Sequence, residues 1–299
     1  MARGSSLSAL LASVLLVACG ETHVTLLQPI VDHGAGNAPV DASVGGNGAS
    51  TGGGNGGSSG RGDAGASPVW SPLHLLHRYS FEGEGSRVVD SIGSADGTLM
   101  GGAILDGAGH VTLDGADDYV NLPNGLLSGM IDTTLVAWLS WNGGRGCWQR
   151  VFDFGSSDAG EDNVGNATSS LFATPLRCGA SPDGGPARGP TTVFETTEGI
   201  LASVDSDTAF PVLNKAMLAV VVDSKAHALR LYAAGERLST DKLVSLAQLT
   251  GDNDWLGRSQ WVQDPYLRGT YDEFRIYDAA LSDAELAALE AAGPDALER

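Results

Sequence analysis

Six aromatic residues of this 299-residue chain sit beside loops in a way that suits sugar recognition. Trp141, Trp148, Trp255, Trp261, Tyr266 and Tyr271 all flank stretches rich in glycine or proline. A sugar-binding surface is shallow and polar, with an aromatic face on which a pyranose ring stacks, and rings mounted on loops can present such a face. The same rings can equally pack a core or a loop, because tryptophan is usually largely buried. Trp141, Trp148, Trp255, Trp261 and Tyr266 are the ligand-binding candidates. Trp138 lies inside an apolar run and belongs to the core. Other chemistry finds little support: residues 68–292 hold no Gly-x-Ser-x-Gly elbow and no His-Glu-x-x-His zinc pattern, and the glycine runs lie near the N-terminus, away from any phosphate-cradling loop. His74 and His77 differ in strand parity and would not share a ligand, while Arg150 and Asp153 are spaced for an internal ion pair.

The charge balance narrows the partners. With 36 acidic against 17 basic residues the formal net charge is -19, a surface that repels nucleic acid and anionic bilayers and favours divalent cations. The three cysteines divide by position. Cys19 ends an apolar run, Leu7 to Ala18, that follows Arg3, the pattern of a secretory signal too short to span a bilayer. Leu16-Val17-Ala18-Cys19 resembles a bacterial lipobox, which implies a signal peptide over 1–18 and lipid on Cys19. Gly20 in place of aspartate favours an outer-membrane lipoprotein, facing the periplasm or the cell surface. Cys147 and Cys178 remain in an exported body, a natural disulfide pair in an oxidising compartment.

The elements that must position the aromatics follow from periodicity and turn signals. Residues 19–67 are mostly Gly, Ala, Ser and Asn, with a single apolar patch from Val24 to Val31, and read as a flexible lipid-anchored linker reaching roughly 40 Å. Arg61-Gly62-Asp63 within it reads as a chance tripeptide. The body, 68–292, is all-β: short strands alternate with Gly, Asp and Pro turns. Leu135 to Trp141 is apolar on both faces and so is a central strand of a two-sheet sandwich. Phe274 and Ile276 alternate with Glu273, Arg275 and Tyr277 as a closing strand with one buried face. Gly155 to Pro190 reads as a long, variable loop. Ser282 with Glu285 forms a capping box and Leu281 with Leu286 a hydrophobic staple, so a short C-terminal helix runs to about Ala292, leaving a tail over 293–299.

Several motifs also carry a family resemblance. Leu-Gly-Arg-Ser at 256–259, Asp272-Glu273-Phe274-Arg275-Ile276-Tyr277 and Ala280-Leu281-Ser282-Asp283-Ala284-Glu285-Leu286 resemble the end of a laminin-G-like, concanavalin A-like jelly roll. His77 to Glu82, Asp90 to Gly93, Asp96 to Leu99 and Leu113 to Val120 resemble its opening hairpins, and Gln149 to Gly155 its middle. The resemblance implies an antiparallel two-sheet sandwich with a short C-terminal helix, on which lectins, glycosidases and spacer domains all occur.

It also implies a structural calcium where the opening strands meet the closing one. The matching positions are Glu82, with Glu84 as its alternative, Asp90, Asp96 and Asp272. Related glycosidases carry Glu-x-Asp-x-(x)-Glu along one strand, aiming both working carboxylates into a cleft; no such triplet occurs here. The expected function is therefore a monomeric, non-catalytic binding module for a glycan or an extracellular protein, tethered by lipid. A divergent glycoside hydrolase and a structural envelope spacer are the alternatives.

Overall fold

The computed structural model describes residues 25–26, 74–179, 189–233, 235–240, 242 and 244–296. The signal peptide, Cys19, most of the linker and Arg61-Gly62-Asp63 lie outside them. In chain order the strands are β1 (Thr25–Leu26), β2 (Leu75–Tyr79), β3 (Glu84–Gly85), β4 (Arg87–Val88), β5 (Gly97–Met100), β6 (Leu105–Asp106), β7 (Val111–Asp114), β8 (Tyr119–Leu122), β9 (Thr133–Trp141), β10 (Phe152–Ser157), β11 (Ala167–Thr174), β12 (Thr191–Thr196), β13 (Gly199–Asp205), β14 (Ala216–Asp223), β15 (Ala228–Ala233), β16 (Glu236–Thr240), β17 (Asn253–Leu256) and β18 (Arg268–Tyr277), followed by helix α1 (Asp283–Ala292).

Antiparallel pairing assembles these into two sheets. The first runs β1-β16-β15-β14-β9-β18-β7-β6-β3, with β2 also on β18; the second runs β13-β12-β11-β10-β17-β8-β5-β4. Between them lies the main core, to which β9 contributes Leu135, Ala137 and Leu139, β10 contributes Phe152 and Phe154, and β18 contributes Tyr271, Phe274 and Ile276. Phe152, Phe154 and Phe274 pack ring to ring with centroids 5.7–6.0 Å apart. The alternation of side chains along each strand puts these residues on inner faces.

The outer face of the first sheet is also covered, which explains why β9 is apolar on both sides. Leu281, Leu286 and Leu289 pack with Val136, Trp138, Met217, Val221 and Tyr277 into a second cluster. The helix begins as its sequence requires: the Ser282 hydroxyl accepts from the Glu285 amide at 3.3 Å, and the Glu285 carboxylate accepts from the Ser282 amide at 2.7 Å. It ends at Gly293, whose φ of 82° suits glycine. The polar face of β18 is therefore not solvated. Glu273 accepts from Arg78 in a bidentate pair at 2.9 and 2.6 Å and from Arg275, and Arg275 also donates to the carbonyls of Pro294 and Ala296 at 2.6 and 3.0 Å.

Two expectations change. Gly155 to Pro190 is not one loop, because β11 occupies Ala167–Thr174 between β10 and β12. Its serines and threonines satisfy themselves locally: Ser170 donates to Asp153 at 2.5 Å and Thr168 to the Ser156 carbonyl at 3.2 Å. Residues 180–188 of that segment lie outside the described residues. Thr25 and Leu26, placed by sequence in the linker, pair with Ser239 and Leu238 at the sheet edge. They belong to the linker's one apolar patch, and an edge strand offers unpaired backbone groups.

Candidate functional site

Two places bring the candidate residues together. The first is the outer face of the second sheet. Strand register lines up Val193, Phe172, Asp153, Trp255, Asn121 and Thr98 across it. Asp153 is fully buried and shares Arg150 with Asp264: the guanidinium donates to Asp153 at 3.2 Å, to Asp264 at 2.7 Å and to the Trp148 carbonyl at 2.8 Å. Ser259 links the two carboxylates through its hydroxyl, at 2.9 Å from Asp264 and 3.4 Å from Asp153. Burial pushes both acids upward in pKa, while the Arg150 charge and the serine hydroxyls act against it. The expected Arg150–Asp153 pair is thus the centre of a larger buried network.

That network carries the loop aromatics. Trp148, at φ 66°, donates its amide to the Leu176 carbonyl at 2.8 Å and sets its ring edge-on to Phe172. The Arg150 guanidinium lies 3.7 Å above the Phe172 ring. The Cys147–Cys178 disulfide ties the Trp148 loop to the segment that follows β11, as the cysteine count predicts. On the other side, Trp261 donates Nε1 to Glu195 at 2.8 Å and its amide to the Ser259 hydroxyl at 3.1 Å. Burial raises the Glu195 pKa against the stabilising bond from Trp261. Trp148, Trp261 and Tyr266 all remain partly exposed.

Trp141 and Trp255 do not join them. Trp255 is fully buried in β17, with Nε1 donating to Asn121 at 3.0 Å and the Arg258 guanidinium 4.1 Å above its ring. Trp141 ends β9 inside the core, its Nε1 3.3 Å from Gln149 Oε1. Glycine follows each in sequence, at Gly257 and Gly143, but the strands extend far enough to enclose both rings, so neither can stack on a ligand. Tyr271, the sixth loop aromatic, is buried against Phe81.

The second place is a polar cleft of about 370 Å³ at the end of β2, lined by Ser80, Glu82, His110, Lys215, Asp272 and Asp295 and by the glycines 83, 107 and 109. Its geometry comes from a β-bulge. Tyr271 faces Leu139 on β9 and Glu273 faces Trp138, so Asp272 has no partner on that strand. On the opposite edge, β7 pairs as far as Tyr271 and β2 begins at Phe274. A bulge re-aims a side chain, and here it sends the Asp272 carboxylate into the gap between β2 and β7.

The calcium candidates divide accordingly. Glu82 and Asp272 line the cleft, while Glu84, Asp90 and Asp96 do not. Asp90 accepts from His77 at 2.7 Å and from the amides of Arg78, Ile92, Gly93 and Ala95 at 3.0–3.2 Å. Burial would raise its pKa, but these bonds outweigh burial and hold it low. Asp96 accepts from the Asp90 amide at 2.9 Å and from Arg87 at 2.8 Å. Both acids therefore organise the turn, away from the cleft that Glu82 and Asp272 line. Glu82 and Asp272 thus share the cleft, but Asp272 is already paired with Lys215 at 2.5 Å and with His110 at 3.1 Å, so the two do not make up the oxygen set that a hard cation needs. Asp114, Asp117 and Asp118 also gather at one turn, with nothing further to mark a ligand.

Little in the sequence distinguished the network from the cleft. Glu195 and Asp264 carry no local signal: β12 pairing sets Glu195 opposite Ser170, and the loop between β17 and β18 brings Asp264 to Arg150.

No curated protein matches the sequence. Solved structures similar to it include domain 4 of AbnA, a GH43 extracellular arabinanase from Geobacillus stearothermophilus, in complex with arabinotriose: identity is 21%, the TM-score is 0.53, and the match covers 73% of this chain and 98% of that one. Trypanosoma rangeli sialidase is similar at 14% identity and a TM-score of 0.54, over 73% of this chain and 33% of the sialidase, so this chain spans about a third of that enzyme. At such identities the likeness is one of fold. The Laminin_G_3 family, described as the concanavalin A-like lectin/glucanases superfamily, matches residues 114–287, more than half of the sequence, and the chain belongs to it.

Proposed function

We propose that the protein is a non-catalytic glycan-binding module of the bacterial cell envelope, tethered through lipid on Cys19. The observation that carries this reading is the placement of Trp148 and Trp261. Both are partly exposed, and both have a polar partner: the buried Arg150 donates to the Trp148 carbonyl and lies 5.8 Å from the Trp148 ring centroid, and the half-buried Glu195 accepts from the Trp261 indole. Pre-positioned aromatic faces of this kind bind sugar rings with little loss of side-chain freedom. The fold likeness to an arabinanase domain seen with arabinotriose supports the same class of ligand. The lipobox-like run ending at Cys19 supports the tether.

A glycoside hydrolase is favoured by one observation, a Glu195 carboxyl whose pKa burial raises beside two further carboxyls, Asp153 and Asp264. Against it, Asp153 and Asp264 are bound to Arg150 and so are poorly placed to act as its partner. A glycan-array screen that includes arabino-oligosaccharides, followed by assay of the bound sugar for released products, separates the readings. Retention without product is expected. Product release, or no retention by any glycan, would overturn the proposal.

A further inference from the structure

One carboxylate beside the exposed tryptophans is only half used. Glu195 sits on the outer face of β12, two residues after Val193 and opposite Ser170 of β11. It is half-buried, and its Oε1 accepts from Trp261 Nε1 at 2.8 Å. No other hydrogen bond reaches the carboxylate among the described residues, and Oε2 is not a buried atom, so that oxygen stays open to solvent. Asp153 and Asp264 are each held by Arg150, whereas Glu195 has no cation partner among the described residues. An indole N–H points outward in the plane of its ring, so a carboxylate that accepts from it lies at the ring's edge and not over its face. A sugar ring stacked on Trp261 would carry its hydroxyls around the rim of the contact, within reach of that edge.

We propose that Glu195 is the polar selectivity residue of this surface: its open oxygen accepts from hydroxyls of a sugar stacked on Trp261, and its charge selects neutral over acidic glycans. This inference rests on the glycan reading. An ionised carboxylate is an acceptor only, and the bonds it receives from hydroxyls are stronger than those to a neutral amide. Burial is the main cause of the raised Glu195 pKa; the Trp261 bond lowers it, Asp153 and Asp264 raise it further, and Arg150 lowers it. Three carboxyls therefore share one guanidinium. Arg150 is 2% exposed and already donates to Asp153, Asp264 and the Trp148 carbonyl, so it is not available to a uronate. An acidic sugar placed on Trp261 would meet the Glu195 charge without Arg150 to balance it.

The test is affinity electrophoresis of wild type, Glu195→Gln and Glu195→Ala through gels holding arabinan, xylan, β-glucan, galactomannan or polygalacturonate, with melting temperature and tryptophan emission measured in parallel. Glutamine keeps an oxygen for the Trp261 indole but loses the charge and the second acceptor, while alanine loses all three. Wild type is expected to be retained by a neutral polysaccharide and not by polygalacturonate. Glu195→Gln should bind that polysaccharide about fivefold more weakly, with the wild-type melt and emission maximum, so that the loss is not one of Trp261 placement. Equal retention of wild type and Glu195→Gln, whether or not Glu195→Ala is weaker, would overturn Glu195 as a sugar contact while leaving the glycan surface standing. Preferential retention of wild type by polygalacturonate would overturn the neutral class. No retention of wild type in any gel would overturn the proposal together with the glycan reading.

Discussion

Replacing Arg150 by methionine should destabilise the protein by about 3–5 kcal/mol, as expected when one partner of a buried ion network is removed. Arg150 is 2% exposed and is the cation that faces both Asp153 and Asp264. Without it, two carboxylates stay in a region of low polarity with serine hydroxyls and one backbone amide as donors. The Trp148 carbonyl also loses its bond from Nη1. Urea unfolding measures the loss. Adding Asp153→Asn should recover part of it, because the amide removes one uncompensated charge while keeping the oxygen that accepts from Gln260. A loss under about 1 kcal/mol would mean that the network is more hydrated than its burial indicates.

A second large effect should appear as a pH dependence centred on Asp254. This acid is buried in β17, where burial pushes its pKa up from 3.8 to about 7. The Leu126 amide, donating at 2.8 Å, acts against that shift without cancelling it. The folded pKa is above the unfolded one, so the stabilising contribution is complete below about pH 4 and is lost as the pH rises through about 7. A shift of this size corresponds to roughly 4 kcal/mol over that window. Asp254→Asn keeps an oxygen for the Leu126 amide and does not ionise. The variant should match wild type at pH 4 and exceed it by several kcal/mol at pH 8, as judged by urea unfolding at both values. Parallel pH profiles for the two proteins would contradict the assignment.

The fold was largely legible in the sequence, for identifiable reasons. The two-faced apolar run of β9, the alternation in β18 and the capping box of α1 are local patterns, and each appears as the expected strand or helix. What could not be read depends on pairing between distant segments. β11 reads as loop because its serines and threonines are polar in isolation, yet Ser170 bonds to Asp153 and Thr168 to the Ser156 carbonyl once the strands pair. The bulge at Asp272 is invisible to a period-two pattern, since its effect is to break that period. Covering of Glu273 and Arg275 depends on where the chain after α1 returns.

The candidate site was legible only in part. Loop-flanking position picked out Trp148, Trp261 and Tyr266 together with Trp141 and Trp255, and burial alone separates the two groups. Asp90 and Asp96 match the calcium positions that the family resemblance implies. Their oxygens are instead occupied by backbone amides of their own turn and by Arg87 and His77, a local solution that short acidic residues commonly adopt.

The most direct test of glycan binding at the Trp148–Trp261 surface is affinity electrophoresis of three proteins on the glycan that the array selects. These are wild type, the double variant Trp148→Ala/Trp261→Ala, and Asp272→Asn as a control in the polar cleft, whose lining includes neither tryptophan. The double variant should lose at least tenfold in affinity while keeping a cooperative melt, because stacking on an aromatic face is the main contact proposed. Asp272→Asn should be retained like wild type. Undiminished retention of the double variant, or loss of retention in Asp272→Asn alone, would contradict the site and move the binding surface to the cleft or elsewhere.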